Sequence, residues 1–333
     1  MKNQENTKKQ ILVLGGTGKT GSRVVSKLQQ LNWPVRIGSR NATIPFYWND
    51  QSTWAAALQG IDSVYISYQP DLAIPGAADT IRELAKLAIA KGVTHLVLLS
   101  GRGEEEAQAC EKIVMDAGTN WTILRASWFN QNFNEGYLLD PILYGQVDLP
   151  VGDVPEPFID ADDIADVAVA ALTTDGHAGQ LYELTGPRML TFSDAVQEIA
   201  IALNRPIQYN QISMDDYKAM MREYQIPDDY IWLITYLFTE VLDGRNASLA
   251  DGVQRALGRK PTDFSEYIRK AIAAGAWKVT AYMCSKQGYH PELVEGLSAE
   301  ASPPYFDGPY HYGSSLMSLQ GGTTRQSRSY SYP

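Results

Sequence analysis

Seven consecutive residues, Gly15, Gly16, Thr17, Gly18, Lys19, Thr20 and Gly21, place four glycines between an apolar run and an amphipathic one. They read as GxGxxG through Gly16, Gly18 and Gly21, or as GxxGxxG through Gly15, Gly18 and Gly21. Glycines let a backbone turn sharply and come close to a pyrophosphate. The free N–H groups that open the following helix then face the anion. The pattern alone is weak. Here it follows a strand-like run, residues 10–14, and opens a segment with Val24, Val25, Leu28 and Leu31 at helical spacing. That is the setting in which such a turn holds a dinucleotide. Gly18, Lys19 and Thr20 also match the end of a triphosphatase phosphate loop, but that motif needs a glycine where the chain has Val13, which argues against it.

A dinucleotide's 2′ position is read at the end of the second strand, where an acidic residue marks NAD. This chain has Gly38, Ser39 and Arg40 there. A guanidinium binds a phosphate in bidentate fashion and a serine adds a donor, so NADP(H) is expected ahead of NAD(H). Asn49 and Asp50, then Ser67 and Tyr68, are further expected cofactor contacts. Ser100 joins them, because strand ends in open α/β sheets face the ligand crevice. An aromatic set, Tyr68, Trp128, Phe129 and Phe133, with Asn130, Gln131 and Asn132 as polar handles, is expected around a substrate pocket.

Other chemistries are thinly supported. A Tyr-x-x-x-Lys pair on the helix after the fifth strand would supply a proton, but that helix has no Tyr, and Lys112 follows Gln108 at the required spacing. The spacing does occur at Tyr282 and Lys286, far past the sheet, where chance accounts for it. There is no GxSxG nucleophile elbow. His95, His177, His290 and His311 are scattered, and Cys110 and Cys284 form no zinc pattern. Asp160, Asp162, Asp163 and Asp166 cluster at a helix start, where aspartates serve as cap and dipole partner. No metal is expected, and no catalytic residue is assigned beyond Ser100 as a candidate.

These residues need elements to hold them. Apolar runs at residues 10–14, 35–38, 43–48, 64–67, 95–100 and 121–125 alternate with helical segments such as 77–91 and 104–117, and 181–184 adds a further strand. Repeated βα units imply a parallel sheet covered by helices. The expected fold is α/β, a Rossmann-type doubly wound parallel sheet with a smaller, mainly helical C-terminal lobe. A nucleotide-binding domain over 10–185 is followed by a substrate or partner lobe over 186–277. From 129 to 157 the reading is loops, and a short strand is expected near Ile207. Residues 278–333, rich in Ser, Tyr, Gly and Pro, read as a disordered tail. The net charge of −10 and dispersed Lys and Arg argue against direct nucleic-acid binding. No run reaches membrane-span length, and a cytoplasmic location is the default.

Taken in order, VLGGTGKTGSRVV (13–25), GSR (38–40), WNDQSTW (48–54), VYISY (64–68), HLVLLSGRG (95–103), WTILRASWFNQNF (121–133), PFIDADDIADVA (157–168) and LYELTGPRMLTFSDAV (181–196) resemble the NmrA-like branch of atypical short-chain dehydrogenase/reductases. Within the branch the chain is similar to the ergot-alkaloid-type festuclavine and agroclavine dehydrogenases. The resemblance implies NAD(P) binding on a Rossmann core and places Ser100 where the family's usual serine stands, here as a positioning donor. Activity stays open between two expectations. One is an NADP(H)-dependent oxidoreductase passing hydride to a small flat or hydrophobic acceptor, quinone- or iminium-like. The other is a silent redox sensor that binds the dinucleotide and acts through a regulatory protein partner.

Overall fold

The run Ile11–Leu14 (β1) is buried at all four positions, as a central strand covered on both faces must be. A computed structural model describes residues 9–278. It pairs β1 with Val35–Gly38 (β2) on one side and Ser63–Ile66 (β3) on the other. His95–Gly101 (β4) and Asn120–Ala126 (β5) continue outward. Between these strands run helices Lys19–Gln30 (α1), Trp54–Leu58 (α2), Ala77–Ala90 (α3) and Glu105–Met115 (α4). Leu139–Tyr144 (α5), Gln146–Leu149 (β6) and Ala161–Thr173 (α6) precede Gln180–Leu184 (β7), which closes a six-stranded parallel sheet of order β2-β1-β3-β4-β5-β7. The chain reverses direction across the sheet between β1 and β3. The crevice at such a reversal is where ligands bind in this architecture.

Side chains alternate along each strand. Ile11, Val13, Tyr65 and Val97 pack beneath α1 and α6, whereas Leu12, Leu14, Val64, Ile66 and Leu96 pack beneath α2, α3 and α4. The remaining elements are Phe192–Ala202 (α7), Gln208–Gln211 (β8), Met214–Glu223 (α8), Asp228–Tyr236 (α9), Gly252–Leu257 (α10) and Phe264–Ala273 (α11). All but α10 gather around a separate aromatic core that includes Phe133, Phe158, Phe192, Phe238 and Phe264, whereas α10 packs through Val253 on the sheet side, against α6 and β7. Among the described residues, no helix is long and apolar enough to cross a membrane.

Two expectations fail. Residues 43–48 are not a strand. Pro45 removes a ladder donor, and the Phe46 N–H bonds back to the Ser39 carbonyl at 3.0 Å. Phe46 then stacks on Trp54 with centroids 5.9 Å apart, and Trp48 meets Phe46 edge-on at 4.9 Å. The aromatic content that suggested a strand instead plugs the space beside α2. The segment expected as loops contains α5 and β6, and β6 pairs in parallel with β8. The segment expected as a disordered tail, with Tyr282 and Lys286 inside it, lies outside the described residues apart from Lys278.

Candidate active site

The glycine turn divides into residues required by the protein itself and one that is not. Gly15 sits at φ +68, and a Cβ there would lie 3.0 Å from the Ser67 carbonyl oxygen. A Cβ on Gly21 would stand 2.1 Å from the Gly15 carbonyl oxygen, so α1 cannot sit on the turn with any side chain there. Gly18 differs. Its φ is −85, and its nearest contacts for a Cβ would be 3.3 Å (Gly15 O) and 3.5 Å (Gln69 Nε2). The protein nearly tolerates a side chain at 18, and the space that side chain would enter is a cavity. Gly18 is also the N-cap of α1. No side chain caps it and no acidic residue lies in the first turn, so the first N–H groups of α1 are left for an anion. The residues present therefore suit a dinucleotide's pyrophosphate. Beside them the Lys19 amine is buried, which lowers its pKa, while Glu135 pulls it back upward. Arg23 anchors this corner by donating to Glu135 and to the Lys19 carbonyl.

The cavity, about 330 Å³, runs from Gly18, Lys19 and Thr20 past the ends of β3, β4 and β5 to Trp128, Phe129 and Tyr137. Ser67, Tyr68, Ser100 and Asn132 of the expected set also line it. Gly15, Gly16, Thr17 and Gly21 form the turn behind it. Ser39 and Arg40 lie beyond its wall, at the end of β2. The Arg40 side chain is exposed, and its charge acts on Tyr230 of α9. Asn49 and Asp50 stand in an exposed turn away from the cavity. The Asp50 carboxylate is committed there, accepting from the Ser52 N–H and hydroxyl at 3.0 and 2.6 Å. Phe133 is not a pocket wall. It is fully buried in the aromatic core, 5.4 Å from both Phe158 and Phe264. Phe129 is the extended N-cap of a short 3-10 turn, Asn130–Phe133, whose last residue is carried onward into the lobe.

Ser100 is buried and donates to Glu111 Oε1 at 2.6 Å. Arg125 holds the same carboxylate and also donates to Glu183 at 2.9 Å. Ser100 is thus fixed by a charged network under the cavity floor, so its hydroxyl proton is engaged. The aspartates of α6 do structural work. Asp160 caps the helix through the Asp162 N–H, and Asp163 accepts from Thr262.

Three acidic residues that sequence reasoning did not single out line the same cavity: Asp71, Glu104 and Glu156. Glu156 is 1% exposed. One of its oxygens accepts the Trp128 N–H at 3.1 Å, the other has no partner, and burial raises its pKa to about 7. The side-chain polar atoms of Ser127, Trp128 and Tyr137 beside it are likewise buried without hydrogen bonds. Buried polar groups rarely stay unpaired in the absence of a ligand or water. A flat molecule held between these rings would meet donors and an acceptor there. In the sequence, Glu104 reads as part of an acidic helix start, and nothing marks Asp71 or Glu156.

The model of the NmrA-like family matches residues 7–268. The uncharacterized oxidoreductase YesF of Bacillus subtilis is 29% identical over 277 residues, covering 80% of this chain and 96% of YesF. Festuclavine synthase II of Penicillium roqueforti is 29% identical over 278 residues, covering 77% of this chain and 96% of the synthase. Among solved structures, the NADPH-dependent quinone oxidoreductase QOR2 of Escherichia coli, complexed with NADPH, superposes with a TM-score of 0.67 at 20% identity. The match covers 79% of this chain and 99% of QOR2.

Proposed function

The chain belongs to the NmrA-like family, and from that premise we propose that it is an NAD(P)H-dependent oxidoreductase passing hydride to a small flat or hydrophobic acceptor, quinone- or iminium-like. The observation that carries this reading is the single cavity joining the uncapped start of α1 to an aromatic end at Trp128, Phe129 and Tyr137. Gly18 and the N–H groups after it would hold the pyrophosphate, with Lys19 adding charge. The bound nucleotide supplies hydride. The chain's own residues align the acceptor and exclude water, and position alone accelerates such a transfer strongly. Ser39 and Arg40 support NADP(H) over NAD(H), since a 2′-phosphate would meet both a hydroxyl and a guanidinium. Two of the relatives named above, YesF and QOR2, are oxidoreductases by description.

A second reading, a dinucleotide sensor acting on a protein partner, is favoured by one observation: α4 carries no Tyr to donate a proton. The test is NADPH oxidation against a panel of quinones and iminium compounds, beside paired affinities for NADP+ and NADPH. Acceptor-dependent oxidation supports the enzyme. Discrimination between the two nucleotide forms without any turnover supports the sensor.

A further inference from the structure

Glu104 stands at the N-cap of α4, yet its carboxyl makes no capping bond to the helix. It turns back over Gly101 instead. A Cβ on Gly101 would fall 1.9 Å from Glu104 Oε1 and 2.6 Å from Oε2, so the missing side chain at 101 is what makes room for this carboxyl. There it faces the same cavity as Asp71, which the loop after β3 brings to the cavity wall, and each carboxyl acts on the other. Asp71 also accepts the Ala73 N–H at 2.8 Å. Two ionised carboxylates are both pure acceptors and repel each other, so a pair gathered at one buried wall favours a proton on one of them.

The surroundings keep that proton in place. Glu106 acts on both carboxyls, and Glu111 acts on Glu104. The nearby cations are engaged elsewhere: Arg82 with Asp79, and Arg102 with Asn246, Ser248 and Glu183. Cys110 on α4 is uncharged at neutral pH, its thiol pushed up to about 12 by burial. The Tyr236 hydroxyl donates to Glu106 from α9. Burial raises both members of the pair, and the charge of Asp71 raises Glu104 further.

We propose that Asp71 and Glu104 share one proton near neutral pH and deliver it to the acceptor, making them the proton donor that α4 lacks. The proposal rests on the oxidoreductase reading and narrows its substrate class. An acceptor such as a quinone takes a hydride from the dihydronicotinamide and needs a proton at a second atom. The O–H bond of the pair breaks, a new bond to that proton forms on the acceptor, and two electrons pass from nucleotide to acceptor. The pair is left doubly ionised and recovers its proton from water. An iminium cation needs hydride alone, so the pair serves acceptors of the quinone kind.

The test has two readouts. Infrared spectra of the nucleotide-free protein at neutral pH, taken as wild type minus variant, read the carbonyl stretch of a protonated carboxyl and cancel the contribution of Glu156. The band is expected in the wild type, lost in Glu104→Gln and shifted or lost in Asp71→Asn. A wild type that shows no such difference from Glu104→Gln, or a band unmoved by Asp71→Asn, overturns the shared proton. The second readout is turnover with a quinone and with a preformed iminium compound. Glu104→Gln should lower kcat for the quinone about 10²-fold or more, a much larger loss than for the iminium compound. Equal loss with both acceptors, or an unchanged quinone rate, overturns the donor role. A wild type that reduces only the iminium overturns it while leaving the oxidoreductase reading standing. A wild type that reduces neither refutes both, and the infrared band still decides whether the proton is shared.

Discussion

At Arg40 the side chain is exposed at the end of β2, within electrostatic reach of Tyr230. A charged hydrogen bond to a 2′-phosphate contributes on the order of 1.5–3 kcal/mol, and about 1.4 kcal/mol is tenfold in affinity. Arg40→Ala should therefore weaken NADPH roughly ten- to a hundredfold by this arithmetic, with NADH changed little and the effect shrinking in high salt. Paired titration of both nucleotides checks this; equal losses for both would assign Arg40 to the fold instead. Legibility at this scale followed how local the signal was. Gly18, Lys19 and Thr20 were readable because a backbone motif compresses them into one turn. Asp71, Glu104 and Glu156 were not, because three loops bring them together and each looks like an ordinary surface acid in the sequence. Asp50 and Phe133 were expected at the site from their residue types and place in the chain, whereas a local cap and an aromatic core claim their side chains.

The turn between β1 and α1 predicts a contrast between two glycines. Gly21→Ala places a methyl 2.1 Å from the Gly15 carbonyl oxygen, which forces the helix off the turn. Overpacking of this kind costs about 1–3 kcal/mol or more, so thermal unfolding should show a clear fall in Tm. Gly18→Ala meets nothing closer than 3.3 Å and should fold almost as the wild type does. Gly18→Val, which reaches further into the cavity, should lose nucleotide affinity while keeping most of its stability. If Gly18→Val bound nucleotide normally in calorimetry, the cradle would lie elsewhere. Most elements were legible because strands buried on both faces leave continuous apolar runs, and α1 and α3 show clear helical periodicity. The exceptions have physical causes. Phe46 and Trp48 resemble strand residues but are turned by Pro45 into a plug. The strand β6 is short and finds its partner, β8, only after two intervening helices and another strand, so no local pattern announces it.

For the molecule as a whole, the acidic cavity makes stability depend on pH in a defined direction. The pKa of Glu156 is raised from 4.5 to about 7. The folded chain therefore binds a proton there that the unfolded chain releases, and the associated stability is full below about pH 4.5 and lost as the pH rises through about 7. Glu156→Gln removes that loss, so the variant should gain on the wild type by about 3 kcal/mol above neutral pH. Denaturant unfolding across the pH range checks it, and a parallel decline in both proteins would show that Glu156 is not the titrating group. The parallel sheet behind the crevice was readable as an alternation of strands and helices, but its strand order and the side chains that converge in the crevice were not, since both are properties of the assembled sheet. The central claim is that this crevice holds a reduced dinucleotide and an acceptor together. Rapid mixing of the NADPH-loaded protein with a quinone, following the dihydronicotinamide absorbance, tests it most directly. Oxidation well above the protein-free rate, abolished by Gly18→Val, is the predicted result. Saturable NADPH binding with no acceptor able to oxidise it would contradict the account.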